Sequence, residues 1–337
     1  MTSYDDRNRA FLQAFMGSSS MTFEEAQPVL AAILSAHDGR DVSVDDITEE
    51  HLSSYISAAN TAVSPFDLEI RSSFHQTSRQ SDQENTNPQP TRVYALVNTT
   101  SDPLTQLATT YSADEIAFLK RVLDYMFVTN NTRICEGMLI SSIQAINIRS
   151  AAEANRRRST NAGTQGGAAQ SLTMTQAESM MKRLVEEGWL ERSRKDNFSL
   201  SPRALMELRG WLVAEYNEDP TSRGNRIKFC AACKDIITVG QRCGDRECPG
   251  RLHAHCLRNF FRIHRAEKCP TCKADWPGDV FVGERAVLAA SSRRETTNEP
   301  RRAAPPSSAM DRDVSIDAGP VSSDGGSESA EEEEEEE

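Results

Sequence analysis

The residues with the clearest chemistry lie between Cys230 and Cys272 and come in four pairs: Cys230-x2-Cys233, Cys243-x4-Cys248, His253-x2-Cys256 and Cys269-x2-Cys272. Thiolates and a neutral imidazole are donors that zinc prefers. Two residues between cysteines let one tight turn aim both sulfurs at an ion about 2.3 Å away. Eight donors in four pairs fill two tetrahedral sites. No coordination position is left for water or substrate, so both zinc ions are expected to be structural. Seven of the chain's eight cysteines belong to this cluster. His255 also adjoins Cys256, but the H-x2-C spacing selects His253 and leaves His255 as a supporting or surface group. Cys135, far away in sequence, reads as a small buried hydrophobe. No Ser/His/Asp arrangement, phosphate loop or dinucleotide motif accompanies the cluster, and no catalytic residue is assigned.

The same ligand spacing serves histone-reading PHD fingers and RING-type fingers, so the residues between the ligands must discriminate. A PHD finger usually has Trp two residues before its seventh ligand; here that position is Glu267. RING ubiquitin ligases put Pro directly after the seventh ligand, a large aromatic four residues beyond the sixth and a cation just after the eighth. Pro270, Phe260 and Lys273 stand at those places. The segment therefore resembles a cross-braced RING variant with His in fifth place. The resemblance implies one zinc ion on Cys230, Cys233, His253 and Cys256, and a second on Cys243, Cys248, Cys269 and Cys272. It implies further that Phe260, Pro270 and Lys273 contact a ubiquitin-conjugating enzyme and its ubiquitin. Chemistry in such a ligase is positional: the charged conjugating enzyme is held so that a substrate lysine meets the thioester in a favourable geometry. Many RING ligases carry Ile just before the second ligand, where this chain has Ala232, so ligase activity is expected to be weak in the isolated chain and to depend on a partner.

N-terminal to the finger, hydrophobic periodicity reads as helices and hairpins. Phe11, Leu12, Phe15 and Met16 share a helical face. Thr22 and Glu25 form a capping box ahead of Ala26, Val29, Leu30 and Ile33, with Pro28 an awkward guest. A third helix carries Leu52, Ile56 and Val63. The period then drops to two, with Leu68 and Ile70 alternating, then Val93, Ala95 and Val97. Gln76 to Pro90 forms the polar loop between them. Three helices and a two-stranded hairpin is the order of a winged helix. The pattern repeats. Ser112 and Glu115 box a helix with Ile116, Leu119, Leu123 and Met126 inward, and Ser150 to Ser171 is a small-residue insertion. Thr173 or Thr175 caps a helix bearing Ala177, Met181, Leu184 and Val185, closed by Gly188. Trp189-Leu190 and Phe198-Leu200 flank a charged turn from Arg192 to Asp196. Ser201-Pro202 opens a last helix with Leu205, Leu208 and Leu212. The expected fold class is α+β: tandem winged-helix domains over 1–108 and 109–218, the finger over 226–278, and a disordered acidic tail over 279–337.

Charge and composition narrow the function classes. The chain has 337 residues and net charge −12, of which residues 278–337, with 16 acidic and 6 basic side chains, carry −10. The folded part is thus nearly neutral, which disfavours an autonomous DNA-binding protein. Seven thiolates and two zinc ions against the other side chains of 226–276 leave the finger about +3. Arg156 to Arg158 could touch DNA phosphates or serve in nuclear import but read more simply as a solvated loop. Lys182 and Arg183, on the second recognition-like helix, suit DNA or a protein partner equally, since winged helices often bind proteins. The longest apolar run, Val29 to Leu34, is far short of the ~18 residues of a membrane span. The amino terminus lacks an apolar signal region, so a reducing compartment is expected and disulfides are not.

Taken along its length, the chain is similar to a known family. Tandem winged helices, a RING variant with His in fifth place, the ending CPTC-x3-WP (Trp276, Pro277), and YALVN (Tyr94 to Asn98) followed by TQLATTYSADEIAFLKRVL resemble element one of the non-SMC subunits of the SMC-five/six complex. The likeness covers about residues 5–280. It implies a nuclear subunit of a chromosome-maintenance machine active in DNA repair and recombination. It also implies a MAGE-type partner bound largely through the winged-helix part, and a kleisin subunit joined to that pair. DNA would be met through the complex, and no membrane is involved. The second ligand pair departs from animal relatives, which have two intervening residues where this chain has four, Gly244 to Glu247. A non-enzymatic, zinc-stabilised assembly module of the same complex is the alternative reading, favoured by Ala232.

Overall fold

The computed structural model describes residues 4–76, 90–99, 110–150, 171–217 and 225–297. The first unit opens with α1 (Asp6–Ser18), β1 (Ser20–Thr22), α2 (Phe23–Asp38) and α3 (Glu49–Val63), then the strands β2 (Leu68–Phe74) and β3 (Arg92–Asn98). Asp5 caps α1 by accepting from the backbone N–H of Arg7 and Asn8. The Thr22–Glu25 box opens α2, which runs through Pro28 at its sixth position; there proline forfeits the N–H that would donate to Glu24 O, a cost the packing of the helix offsets. Phe11, Phe15, Leu30, Leu52 and Ile70 form the buried centre of this unit, with the Phe11 and Phe15 rings edge to face at 5.1 Å.

Two expectations for this unit are corrected. Met16 does not share the buried face: Phe11 and Phe15, four apart, turn inward and leave it 68% exposed. The sheet has three strands, not two, in the order β1-β3-β2. β1 pairs antiparallel with β3 through Ser20↔Ala95 and Thr22↔Val93, and three residues are too few to show a period in the sequence.

The second unit repeats the scheme with α4 (Ala113–Asp124), β4 (Ile140–Ser141), α5 (Ser142–Asn147), α6 (Met174–Glu186), β5 (Leu190–Arg192) and β6 (Asn197–Leu200). Its sheet runs β4-β6-β5. Ser112–Glu115 boxes α4, and Thr173, with Gln176, is the cap of α6. α4 passes into a π-turn, Tyr125–Thr129, whose extra residue per turn lets Met126 and Phe127 both be fully buried. The helix expected after Ser201 is two: α7 (Pro202–Glu207) and α8 (Arg209–Tyr216). Leu205, Leu208 and Leu212 are buried as expected.

The finger follows with β7 (Gly240–Arg242), β8 (Arg251–Leu252) and α9 (Ala254–His264), and β7 is the middle of a third sheet, β8-β7-β9, completed by β9 (Phe281–Val282). A last helix, α10, spans Glu284–Thr297. The disordered tail expected from 279 is therefore corrected at its start. Val282 is buried, and the Glu284 carboxylate accepts from Ser193 Oγ at 2.7 Å and Asn197 Nδ2 at 2.6 Å. Gly283 sits at φ +88, where an added Cβ would lie 2.8 Å from the Thr238 carbonyl oxygen; only glycine fits that bend. Polar composition hid this return, because one buried Val and one bonded Glu have no periodicity.

The finger is not a separate bead. Ile227, Ile236 and Val282 belong to the same buried cluster as Phe118, Leu123, Met126 and Leu184 of the second unit. The described residues, up to Thr297, make one compact body. The loop between Gln76 and Pro90, the insertion with Arg156 to Arg158, and the acidic stretch from 298 lie outside the described residues. No helix among those described is long and apolar enough to cross a membrane.

Candidate metal centre

Two local turns supply half of the donors. Cys230 to Lys234 forms a knuckle in which the Lys234 N–H donates to Cys230 O at 3.0 Å and the Cys230 N–H to Asp235 O at 2.8 Å. Cys269 to Lys273 repeats it, with Lys273 N–H to Cys269 O at 3.1 Å and Cys269 N–H to Ala274 O at 2.8 Å. Lys234 and Lys273 both take the left-handed conformation, at φ +66 and +63. The other donors come from the two ends of the β7–β8 ribbon: Cys243 and Cys248 on one side, His253 and Cys256 at the start of α9.

The third dimension interleaves the pairs. Cys230, Cys233, His253 and Cys256 converge in one group, and Cys243, Cys248, Cys269 and Cys272 in another, the donor atoms of each lying within 4.8 Å of one another. Cys243 Sγ is 3.5 Å from Cys272 Sγ and Cys248 Sγ is 3.6 Å from Cys269 Sγ. Sulfurs on a tetrahedral zinc stand about 3.8 Å apart. His253 presents Nδ1 to Cys233 Sγ at 3.3 Å and Nε2 to Ile236 O at 3.3 Å. That arrangement fixes the proton on Nε2 and leaves Nδ1 as the ligand. Gly250 closes the second group: a Cβ there would lie 2.5 Å from Cys269 Sγ and 3.4 Å from Cys248 Sγ. His255 stands outside, stacked on His253 with ring centroids 4.9 Å apart at 13°.

Within each group the crowded thiols shift one another. In the first group, hydrogen bonds from the Cys233 and Cys256 thiols hold Cys230 far below the usual thiol range, and the Cys230 and Cys233 sulfurs push Cys256 up. In the second, burial pushes Cys243 up to about 12. At Cys269 burial is overcome by the backbone N–H groups of Cys272 and Thr271, which bring it down to about 7. Burial and the neighbouring His253 lower His255 to about 4, so it is neutral at pH 7. Beside the second group, Arg242 and Arg251 are buried at 3% and 1% exposure around a single carboxylate, Glu136. Four thiolates and one zinc carry −2, which offsets that buried excess of positive charge. The donor set fits two structural zinc ions held without a vacancy.

The family model for the Nse1 non-SMC component of the SMC5-6 complex matches residues 8–208, and that for a RING-like domain matches residues 230–272. The chain belongs to the Nse1 family. It is 22% identical over 275 residues to the rat and human proteins named "Non-structural maintenance of chromosomes element 1 homolog", covering 82% of this chain and 85% of each of those. A Saccharomyces cerevisiae relative, "Non-structural maintenance of chromosomes element 1", is 24% identical over 209 residues, covering 55% and 59% of the two chains. A solved chain from an "Nse1-Nse3-Nse4 complex" superposes with a TM-score of 0.59 at 19% identity, over 83% of this chain and all of that one. The fold is shared.

The three residues expected to meet a conjugating enzyme occupy two places. Phe260 lies half-buried on α9 with its ring 4.3 Å from His264 and 5.9 Å from Phe261. Pro270 and Lys273 share the second knuckle, where Lys273 Nζ donates to Pro270 O at 3.0 Å. α9 buries no residue fully, and Ile263 is 72% exposed. Cys135 is half-buried in a turn, not in the core. Sequence reasoning missed Gln76, Glu136 and Arg251, which join the finger to the body across 115 to 163 residues. Separations that long leave no local signal.

Proposed function

We propose that this chain is a RING-type ubiquitin ligase subunit of the SMC5-6 complex, acting in the nucleus in DNA repair and recombination. The observation that carries the reading is the interleaving of ligand pairs, first with third and second with fourth, together with the family match. Interleaved zinc ions brace a small domain from both ends and give a rigid docking face. That face is offered by Phe260 on α9 and by Pro270 in the second knuckle. Its chemistry is to hold a ubiquitin-charged conjugating enzyme in a reactive pose; the reacting cysteine belongs to that enzyme. The two helix-and-sheet units are read as winged helices that receive a MAGE-type subunit, with a kleisin joined to the pair. The similar solved chain, from a complex of Nse1, Nse3 and Nse4, supports that reading. DNA is met through that assembly.

Ala232 lacks the apolar side chain many RING ligases use, and burial of such a group is worth roughly 1.5–3 kcal/mol, about a ten- to hundredfold in affinity. Activity is therefore expected to be weak alone and to rise with the MAGE-type partner. A ubiquitin-chain assay over a panel of conjugating enzymes, with and without that partner, tests this. Phe260→Ala or Pro270→Ala should abolish chains without releasing zinc. One observation favours the second reading, an assembly module without enzymatic activity: the Lys273 ammonium is folded back onto Pro270 O rather than held outward. No chains with any enzyme in the partnered complex, or chains indifferent to Phe260 and Pro270, would leave that reading standing.

A further inference from the structure

Each half of the body reaches into a different zinc centre. From the first unit, the side-chain amide of Gln76, two residues past β2, spans the backbone of residues 236–239. Its Oε1 accepts from the Thr238 N–H at 2.9 Å, the Val239 N–H at 3.0 Å and Thr238 Oγ1 at 3.1 Å. Its Nε2 donates to Ile236 O at 2.8 Å. Two backbone N–H groups on one side and a carbonyl on the other permit only one orientation of the amide. Ile236 O is also the acceptor for His253 Nε2. One carbonyl oxygen therefore carries both the proton that sets the tautomer of a zinc ligand and the amide that fixes where that oxygen stands. Phe74 adds a second contact from the same strand: its ring lies 5.3 Å from His255, which is stacked on His253.

From the second unit, Glu136 does the equivalent at the other centre. Its carboxylate grips Arg251 two-pronged, Oε2 accepting from Nε at 2.8 Å and Oε1 from Nη2. The third nitrogen of Arg251, Nη1, donates to Cys248 O at 2.7 Å and Gly250 O at 2.8 Å. Gly250 O in turn accepts from the Cys243 N–H at 3.0 Å. Glu136 thereby fixes the guanidinium that holds the loop between Cys248 and Gly250, the loop whose glycine fits beneath Cys269 Sγ. A planar fork can satisfy a carboxylate and two carbonyls together, which an ammonium cannot.

We propose that Gln76 and Glu136 are the outer supports of the two zinc ions, one from each half of the body, so that each ion is loosened separately by a change more than 100 residues away from its ligands. Partners that orient a metal ligand are worth about 10- to 100-fold in metal affinity. Gln76 acts on the histidine-containing centre through Ile236 O. Glu136 acts on the all-cysteine centre through Arg251.

The test uses the full chain loaded with zinc, and follows release to a chromophoric chelator. Parallel cobalt substitution tells the histidine-containing centre from the all-cysteine centre by its absorption bands. Gln76→Ala should speed loss from the histidine-containing centre about 10- to 100-fold and leave the all-cysteine centre at the wild-type rate. Gln76→Glu, which keeps the acceptor oxygen but loses the donor to Ile236 O, should act on the same centre. Glu136→Gln should do the reverse. Because removing a buried charge can cost the fold itself, Arg251→Lys serves beside it: the charge stays and the grip on Cys248 O and Gly250 O is lost, with the same centre affected. Release from both centres accelerated alike by either Gln76 or Arg251 variants would show general loosening and overturn the proposal. So would wild-type rates at both centres in folded variants.

Discussion

The knuckles Cys230-Ala-Ala-Cys233-Lys234 and Cys269-Pro-Thr-Cys272-Lys273 share their hydrogen bonds, their left-handed lysine and even the fate of its ammonium, which caps Ala231 O at 2.8 Å in one and Pro270 O at 3.0 Å in the other. What stands behind them differs. The first knuckle rests on the body: Arg209 of α8 reaches Lys234 O at 2.9 Å, and the flanking Ile236 belongs to the core of the second unit. The second centre makes its own small cluster, Cys243, Cys248 and Cys269 with Trp276 against them. Trp276 Nε1 donates to Gln241 Oε1 at 2.8 Å, again within the finger. Identical turns thus have unequal dependence on metal. One has packing in reserve; the other has, apart from the Glu136–Arg251 anchor behind the loop from Cys248 to Gly250, mainly its ion.

The largest expected effect comes from removing the metal. A structural zinc contributes on the order of 10–16 kcal/mol to the folding of a small finger. Chelation should therefore unfold the second centre, residues 243–250 and 268–278, first, while 227–237, held by the core of the second unit, and the helices of both units persist. Hydrogen exchange during stepwise chelation reads the order directly, and loss of protection at both knuckles together would erase the distinction. The unmodified chain should hold two zinc ions. His253→Ala should keep one of them, and His255→Ala both.

Ending the chain at Gly278 is the next largest. β9 pairs with β7 through Gly240↔Val282, and β7 leads into both centres, so this deletion removes a foundation they share. Burial of a side chain such as Val282 is worth about 1.5–3 kcal/mol, and the bonds to the Glu284 carboxylate about 1.5–3 more. At about 2–4 °C per kcal/mol for a body of this size, thermal unfolding should fall by roughly 6–24 °C. Ending at Thr297 should change nothing. A normal melting temperature without residues 279–297 would return that segment to the tail.

The smallest effect lies away from both centres and serves as their control. Glu207 is 7% exposed and 3.5 Å from Arg203 Nε, an ion pair without a hydrogen bond between the two atoms. Burial holds its carboxyl above the usual range, against the pull of Arg203. A raised folded value means that the protonated form favours folding. That stability is complete below the ordinary pKa of about 4.3 and is lost as pH rises through the raised value. Glu207→Gln should therefore stabilise slightly at neutral pH, with the gain vanishing in acid, and leave zinc release unchanged at either centre. A stabilisation that persists at low pH would contradict the burial argument.

Much of the fold and of the metal centre is legible in the sequence because it is local. Thr22–Glu25, Ser112–Glu115 and Thr173–Gln176 each close a capping box within three residues, and the choice of His253 over His255 follows from H-x2-C spacing. Elements without a period escape: β1 is three residues, β4 is two, and α5 is a six-residue helix. Met16 misleads because a helical stripe read from sequence is broader than the face its neighbours cover.

By itself the sequence determined the metal, the number of ions and the type of finger, because a zinc knuckle is a turn whose donors are fixed within four residues. It also placed the helix starts, for the same reason of short range. Only the tertiary structure decided that the finger is built into the body, that a strand and helix continue to Thr297, and that Gln76 and Glu136 stand behind different centres. Those contacts join residues 115 to 163 apart. Such partners are chosen by how the buried faces of three sheets pack, and no spacing along the chain records that choice.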